Sequence, residues 1–205
     1  LHYRFKRIDE RALQEAHKKV LEILGTEGEI FEVIAVDGTG FGYDAWERVK
    51  WKRGKEMRKV KSHVKTEIVV GKRENGEDII LDMKVGPAYS DERVLLKELF
   101  KEREWRAKFI MADALYGMDV EILKEFYRRA EKVVVPVRDT IHTKVKHPLR
   151  VQAKRDYEEN RDRYGERSVV EGAIGRIKNA YGSCIPTNSE EKARKVVWLM
   201  DILYN

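Results

Sequence analysis

The stretch YGERSVVEGAIGRIK, residues 164–178, decides how the rest of the chain is read. Its residues Tyr164, Arg167, Glu171 and Lys178 are separated by three, four and seven positions. At about 100° per helical residue, these offsets place all four within roughly 60° of one another on one face. One carboxylate is thereby flanked by two cations and a phenol. The opposite arc carries Val169, Val170, Ala173, Ile174 and Ile177, a stripe broad enough to pack on a sheet. Taken alone, this is also the pattern of an ordinary amphipathic helix in which Arg and Lys bracket a Glu.

Working outward, Pro186 and Asn188 mark a turn, and residues 189–205 read as a final helix with Ser189 as N-cap and Val196, Val197, Leu199, Met200 and Leu203 buried. Residues 138–163 lack a clear period, hold Pro148 and read as a loop-rich connection. Upstream, residues 132–137 (KVVVPV) and 107–113 (AKFIMAD) read as strands joined by a helix from Asp119 to about Ala130, a β-α-β unit. A helix capped by Ser90 runs to about Glu102, burying Val94, Leu95 and Leu99. Residues 64–70 and 79–85 flank Asn75-Gly76 and form a hairpin. Residues 31–36 (FEVIAV) form the first strand and end at Asp37, and residues 9–24 form an opening helix between an Asp9 cap and a Gly25 stop.

At 205 residues, the chain is one domain with room for a real core. The lone Cys184 excludes an internal disulfide and a Cys-rich zinc site. With no apolar run of membrane-spanning length and no signal-peptide pattern, the expected setting is soluble and intracellular. Charge is unevenly placed. Between Arg48 and Lys65 stand nine Lys or Arg (Arg48, Lys50, Lys52, Arg53, Lys55, Arg58, Lys59, Lys61, Lys65) against the single acid Glu56. That local +8 exceeds the net +6 of the whole chain, so the remainder is slightly acidic. A charge run usually marks a solvated face, but this one includes Trp51 and follows Trp46 closely, a composition suited to a nucleic-acid track. Ser62 and His63 lie inside it; no second His or Cys sits at ligand spacing from His63, which reads as structural or phosphate-facing.

Two predicted strands end in a carboxylate, Asp37 and Asp113, and Glu171 stands on the polar face of the later helix. Each alone could be a cap, a turn residue or a surface charge. If neighbouring strands set Asp37 beside Asp113, their repulsion calls for a cation between them. Oxygen ligands without clustered His or Cys point to Mg²⁺ or Mn²⁺. Two such ions about 4 Å apart are the standard arrangement for in-line displacement at phosphate.

The pattern Tyr, two residues, Arg, three residues, Glu, six residues, Lys resembles the third motif of a group of DDE transposases of bacterial and archaeal insertion sequences. Tyr164, Arg167, Glu171 and Lys178 match all four letters and every gap. VIAVDGTGF with Asp37 and FIMADALYG with Asp113 resemble the first and second motifs. The resemblance covers about residues 30–205 and leaves residues 1–29 as an N-terminal helical segment.

It implies an RNase H-like α/β fold, a mixed five-stranded sheet with three antiparallel strands followed by alternating helix and strand, flanked by helices. It further implies that Asp37, Asp113 and Glu171 hold two Mg²⁺ or Mn²⁺ ions and catalyse DNA cleavage and strand transfer. Tyr164, Arg167 and Lys178 would contact DNA phosphates beside the cut. Transposon ends and target DNA would be the substrates, a homodimer the synaptic form, and the prokaryotic cytoplasm, at the nucleoid, the location. A stand-alone RNase H-like nuclease acting on structured DNA and a non-catalytic DNA-binding remnant remain as alternatives. Relatives often carry an N-terminal end-binding domain, for which the residues before the first strand are too few, so the expectation is either an isolated catalytic domain or end recognition by the basic window and the first helix. No Trp lies in residues 138–163, where larger relatives carry a β-rich insertion with an aromatic base-flipping device.

Overall fold

A computed structural model describes residues 7–50, 57–139 and 145–205. Its strands are β1 (Ile30–Lys50), β2 (Met57–Lys72), β3 (Asp78–Gly86), β4 (Arg106–Met111), β5 (Ala130–Val134) and the two-residue β6 (Cys184–Ile185). The helices are α1 (Glu10–Ile23), α2 (Glu92–Glu102), α3 (Val120–Arg129), α4 (Pro148–Glu159), α5 (Ser168–Tyr181) and α6 (Glu190–Tyr204). The sheet runs β3-β2-β1-β4-β5, with β6 added to the outer part of β1. β1–β2 and β2–β3 are antiparallel; β1–β4 and β4–β5 are parallel. This mixed open sheet is the RNase H-like architecture, widened by one short strand.

β1 is central because its alternate residues are apolar on both faces. Ile34 and Val36 join one core with Leu96, Leu99 and Phe100 of α2 and Ile122, Leu123 and Phe126 of α3. Ala35 and Phe41 join a second core with Val170, Ala173 and Ile177 of α5 and Val197, Trp198 and Met200 of α6. α1 belongs to this second layer through Leu13, and Glu10 accepts hydrogen bonds from Arg194 (3.1 Å) and Trp198 Nε1 (3.2 Å). Among the described residues, no helix is long and apolar enough to cross a membrane.

Several local expectations hold. Asp9 caps α1, Ser189 caps α6, and Gly76 turns the β2–β3 hairpin at φ 88°. Others are corrected. β1 does not stop at Asp37, because β2 keeps pairing past it: Asp37 faces Ile68, and the β1–β2 pairing continues to Lys50. Strands β1 and β2 therefore extend together into a long two-stranded arm.

The cap of α2 is Asp91, which accepts from Arg93 N at 2.9 Å, while Ser90 donates to the Pro87 carbonyl at 2.7 Å. Residues 148–159 form α4 rather than a loop. His147 caps it and Pro148 occupies the first turn, where the missing N–H costs nothing. The inward face of α4 is polar: Arg150 donates to the Arg138 carbonyl (3.1 Å), and Asp156 accepts from Tyr127 (2.9 Å) and Lys132 (3.1 Å).

Arg129 bolts the α2–α3 layer together. Buried at 2% exposure, it pairs with Glu125, donates to the carbonyls of Phe100 (2.9 Å) and Arg103 (3.3 Å), and lies over the rings of Phe100 and Trp105. Arg129→Ala leaves those carbonyls without this donor and opens a void. Urea unfolding is expected to show a loss of about 3 kcal/mol; a loss within 0.5 kcal/mol would refute the bolt.

Candidate active site

The middle of β1 and the end of β4 run side by side, with Ala35 opposite Met111. Asp37 and Asp113 each lie two residues beyond that pair, Asp37 still within β1 and Asp113 just past the end of β4, and the charge of Asp113 acts on Asp37. Asp37 Oδ1 accepts from Gly38 N at 3.0 Å. Asp113 is fixed by the turn that follows it, Oδ1 accepting from Leu115 N at 2.6 Å.

The third acid approaches from α5. The four signature residues do not share one α-helix, because residues 161–167 are a 3₁₀ helix and α5 starts at Ser168. In a 3₁₀ turn, residues three apart eclipse, so Tyr164 still stands over Arg167, whose guanidinium is 5.9 Å from its ring centre. Arg167 then meets Glu171 one α-turn on.

Arg167 also reaches Asp37 Oδ2 at 3.4 Å, so a single guanidinium joins the acid of β1 to the acid of α5. Tyr164 donates to the carbonyl of Ala112 at 3.4 Å, next to Asp113, and packs edge-on against Tyr157. Lys178 donates to Thr39 Oγ1 at 2.6 Å and lies over the Phe41 ring.

Burial raises the pKa of the Asp37 carboxyl above its ordinary range. Arg167 and the Gly38 N–H oppose the rise, and the charges of Glu92 and Asp113 add to it. Asp37 is thus an acid whose charge needs cations. Burial, then Lys65, lower the pKa of Lys178.

Sequence reasoning missed a second ring of charge. Glu67, opposite Gly38 on β2, is fully buried; Tyr116 donates to its Oε1 at 2.7 Å, and Oε2 has no partner. Burial holds the Glu67 pKa well above the usual value. Glu92, in the first turn of α2, pairs with Lys65 and presses on Gly38, where a Cβ would lie 2.4 Å from its side chain. The one available signal was an acid inside the apolar run of residues 64–70.

Of the arm cations, Lys61 pairs with Asp44 at 3.2 Å. Arg48, Lys50, Arg58 and Lys59 lie on the paired arm backbone, whereas Lys52, Arg53 and Lys55 fall outside the described residues, as does Trp51.

The donor set at Asp37, Asp113 and Glu171 is all carboxylate oxygen, which suits a hard divalent cation. Among the described residues, no three His, Cys, Asp or Glu side chains are gathered into a metal-holding group. Arg167 supplies positive charge between Asp37 and Glu171 instead.

Residues 30–205 match the family described as transposase DDE domain. The chain is also similar to an uncharacterised protein of Aquifex aeolicus (strain VF5), with 41% identity over 208 residues, covering 100% of this chain and 64% of that protein. It thus spans less than two thirds of that relative's length.

Proposed function

The chain belongs to the transposase DDE-domain family, and from that premise we propose that it performs divalent-metal-dependent cleavage of DNA at transposon ends and joins those ends to a target. The observation that carries this reading is the convergence of Asp37 and Glu171 on one guanidinium, with Asp113 just past the end of the adjoining strand and near enough for its charge to act on Asp37. These carboxylates would hold Mg²⁺ or Mn²⁺. When bound, such ions activate a water or a 3′-hydroxyl and stabilise the leaving oxygen at the scissile phosphate.

The chain's own residues have distinct tasks in this reading. Arg167 neutralises Asp37 and Glu171, and its fork would be free to grip a DNA phosphate if those acids held a divalent ion. Lys178, already positioned by Thr39, offers a second charge to phosphate, and Tyr164 steadies the end of β4 through Ala112. The basic arm tracks the DNA backbone, and two copies hold two ends.

Glu171 is half exposed and holds no core contact together, so Glu171→Ala should fold normally. It is expected to keep DNA binding in gel shift while losing Mn²⁺-dependent nicking of end-containing duplex. Unchanged nicking would sink the proposal. Cleavage of branched DNA without any strand joining would move the assignment to a nuclease.

A further inference from the structure

Pro87 to Asp91 connect β3 to α2, and within this link Tyr89 has φ 65°. It is the only non-glycine residue with positive φ among those described. That left-handed conformation strains any residue with a Cβ and is taken freely by glycine. Burial does not repay the strain, because Tyr89 is 62% exposed. An aromatic ring is thus displayed where the backbone favours glycine.

The ring is braced. His63 meets it edge to face with centroids 5.2 Å apart, and the His63 ring seats against Gly40, three residues along β1 from Asp37. Lys61, His63 and Lys65 alternate along β2 and so share one face at the root of the basic arm. Lys65 faces Gly40 across the β1–β2 pair and Gly86 across the β2–β3 pair, so this face borders the link that carries Tyr89.

We propose that Tyr89, braced by His63, is a stacking platform for an unpaired nucleobase of the DNA, with Lys61 and Lys65 taking phosphates on either side. The inference rests on the transposase reading above and adds a ligand subsite to it. A base inside a duplex does not offer its face, whereas an unpaired base at a frayed or extended end does. Aromatic rings set among cations recognise such bases without sequence preference.

The test uses the whole chain and two DNA probes, a blunt duplex and the same duplex with a short single-stranded extension carrying 2-aminopurine, on either strand in turn. The unmodified protein should quench the fluorophore and bind the extended probe more tightly. Tyr89→Phe should retain both properties. Tyr89→Ala and Tyr89→Gly should lose the quenching and weaken binding of the extended probe about tenfold, with the blunt duplex unaffected.

Tyr89→Gly should also melt higher than the unmodified protein, because it relieves the left-handed strain, so its loss of binding is not a folding defect. Quenching that survives in Tyr89→Ala, or an equal fall on both probes, overturns the platform. If the unmodified protein binds neither probe, the transposase reading itself fails. Equal binding of both without quenching sinks only the platform and leaves Tyr89 for a protein partner.

Discussion

Asp37→Asn is expected to lower Mn²⁺-dependent nicking about a hundredfold to a thousandfold while raising the melting temperature. The two effects have one cause. Burial lifts the folded-state pKa of this carboxyl above its ordinary value, so the folded state favours the protonated form relative to the unfolded chain. For an acid shifted in this direction, the contribution to stability is full below the ordinary pKa. It is lost as pH rises through the raised value, so at neutral pH the ionised group counts against folding.

Asparagine keeps the shape and an oxygen for the Gly38 N–H but carries no charge. Arg167 retains Glu171 as partner. The gain should therefore appear at neutral pH and shrink in acid, and thermal unfolding at two pH values together with a nicking assay checks both halves. An Asp37 that served only the fold would give the opposite result, a lower melting temperature with nicking retained.

Asp82→Asn is expected to produce the largest change in stability, and its size should depend on pH. Asp82 is 2% exposed on β3 with Oδ2 unpartnered, and burial pushes its pKa up to about 7 against the partial opposition of Arg103. The unfolded chain gives up this proton near pH 4, whereas the folded protein keeps it to about pH 7. Stability from Asp82 therefore falls across that window, and the Asn variant gains on the unmodified protein by on the order of 2–4 kcal/mol between those limits. Above pH 7 the difference levels off.

A buried histidine nearby acts in the opposite sense. His17, 3.2 Å from Asp201, has its pKa lowered to about 4, chiefly by burial and then by Arg103. Its share of stability is present above its ordinary value of 6.5 and is lost as pH falls toward 4. Asp201 beside His17 has its pKa raised well above the usual value, chiefly by burial and then by the charge of Asp82, and slopes the same way as Asp82. The Asp82 share is therefore read from the difference between the unmodified protein and the Asn variant in urea unfolding at pH 4.5, 6 and 8. A difference between the two proteins that stays constant with pH would show that Asp82 titrates normally.

Much of the architecture is visible in local patterns. Apolar runs at residues 31–36 and 107–113, the Asn75-Gly76 turn and the Asp and Ser caps mark elements whose signals lie within one turn or one strand. α4 escaped because it is anchored by Arg150 and Asp156 rather than by an apolar stripe, so helical periodicity had nothing to register. Its Pro148 looked like a breaker and is instead a first-turn residue.

The sequence by itself determined the family. Tyr164, Arg167, Glu171 and Lys178 at set intervals, with two aspartates each closing an apolar run, carry the resemblance to the motifs of that family. Tertiary structure decided what those residues touch. Asp37 sits within a long strand because pairing with β2 continues past it, although pairing with β4 ends at Ala35. Arg167 joins Asp37 to Glu171 across 130 positions of sequence. Glu67, Glu92 and Lys65 ring the site through sheet register and helix packing, and Tyr89 meets His63 where the arm leaves the sheet. The physical reason is one of range. Propensity, capping and periodicity act over a few residues, whereas these contacts arise only when distant strands and helices pack into one body.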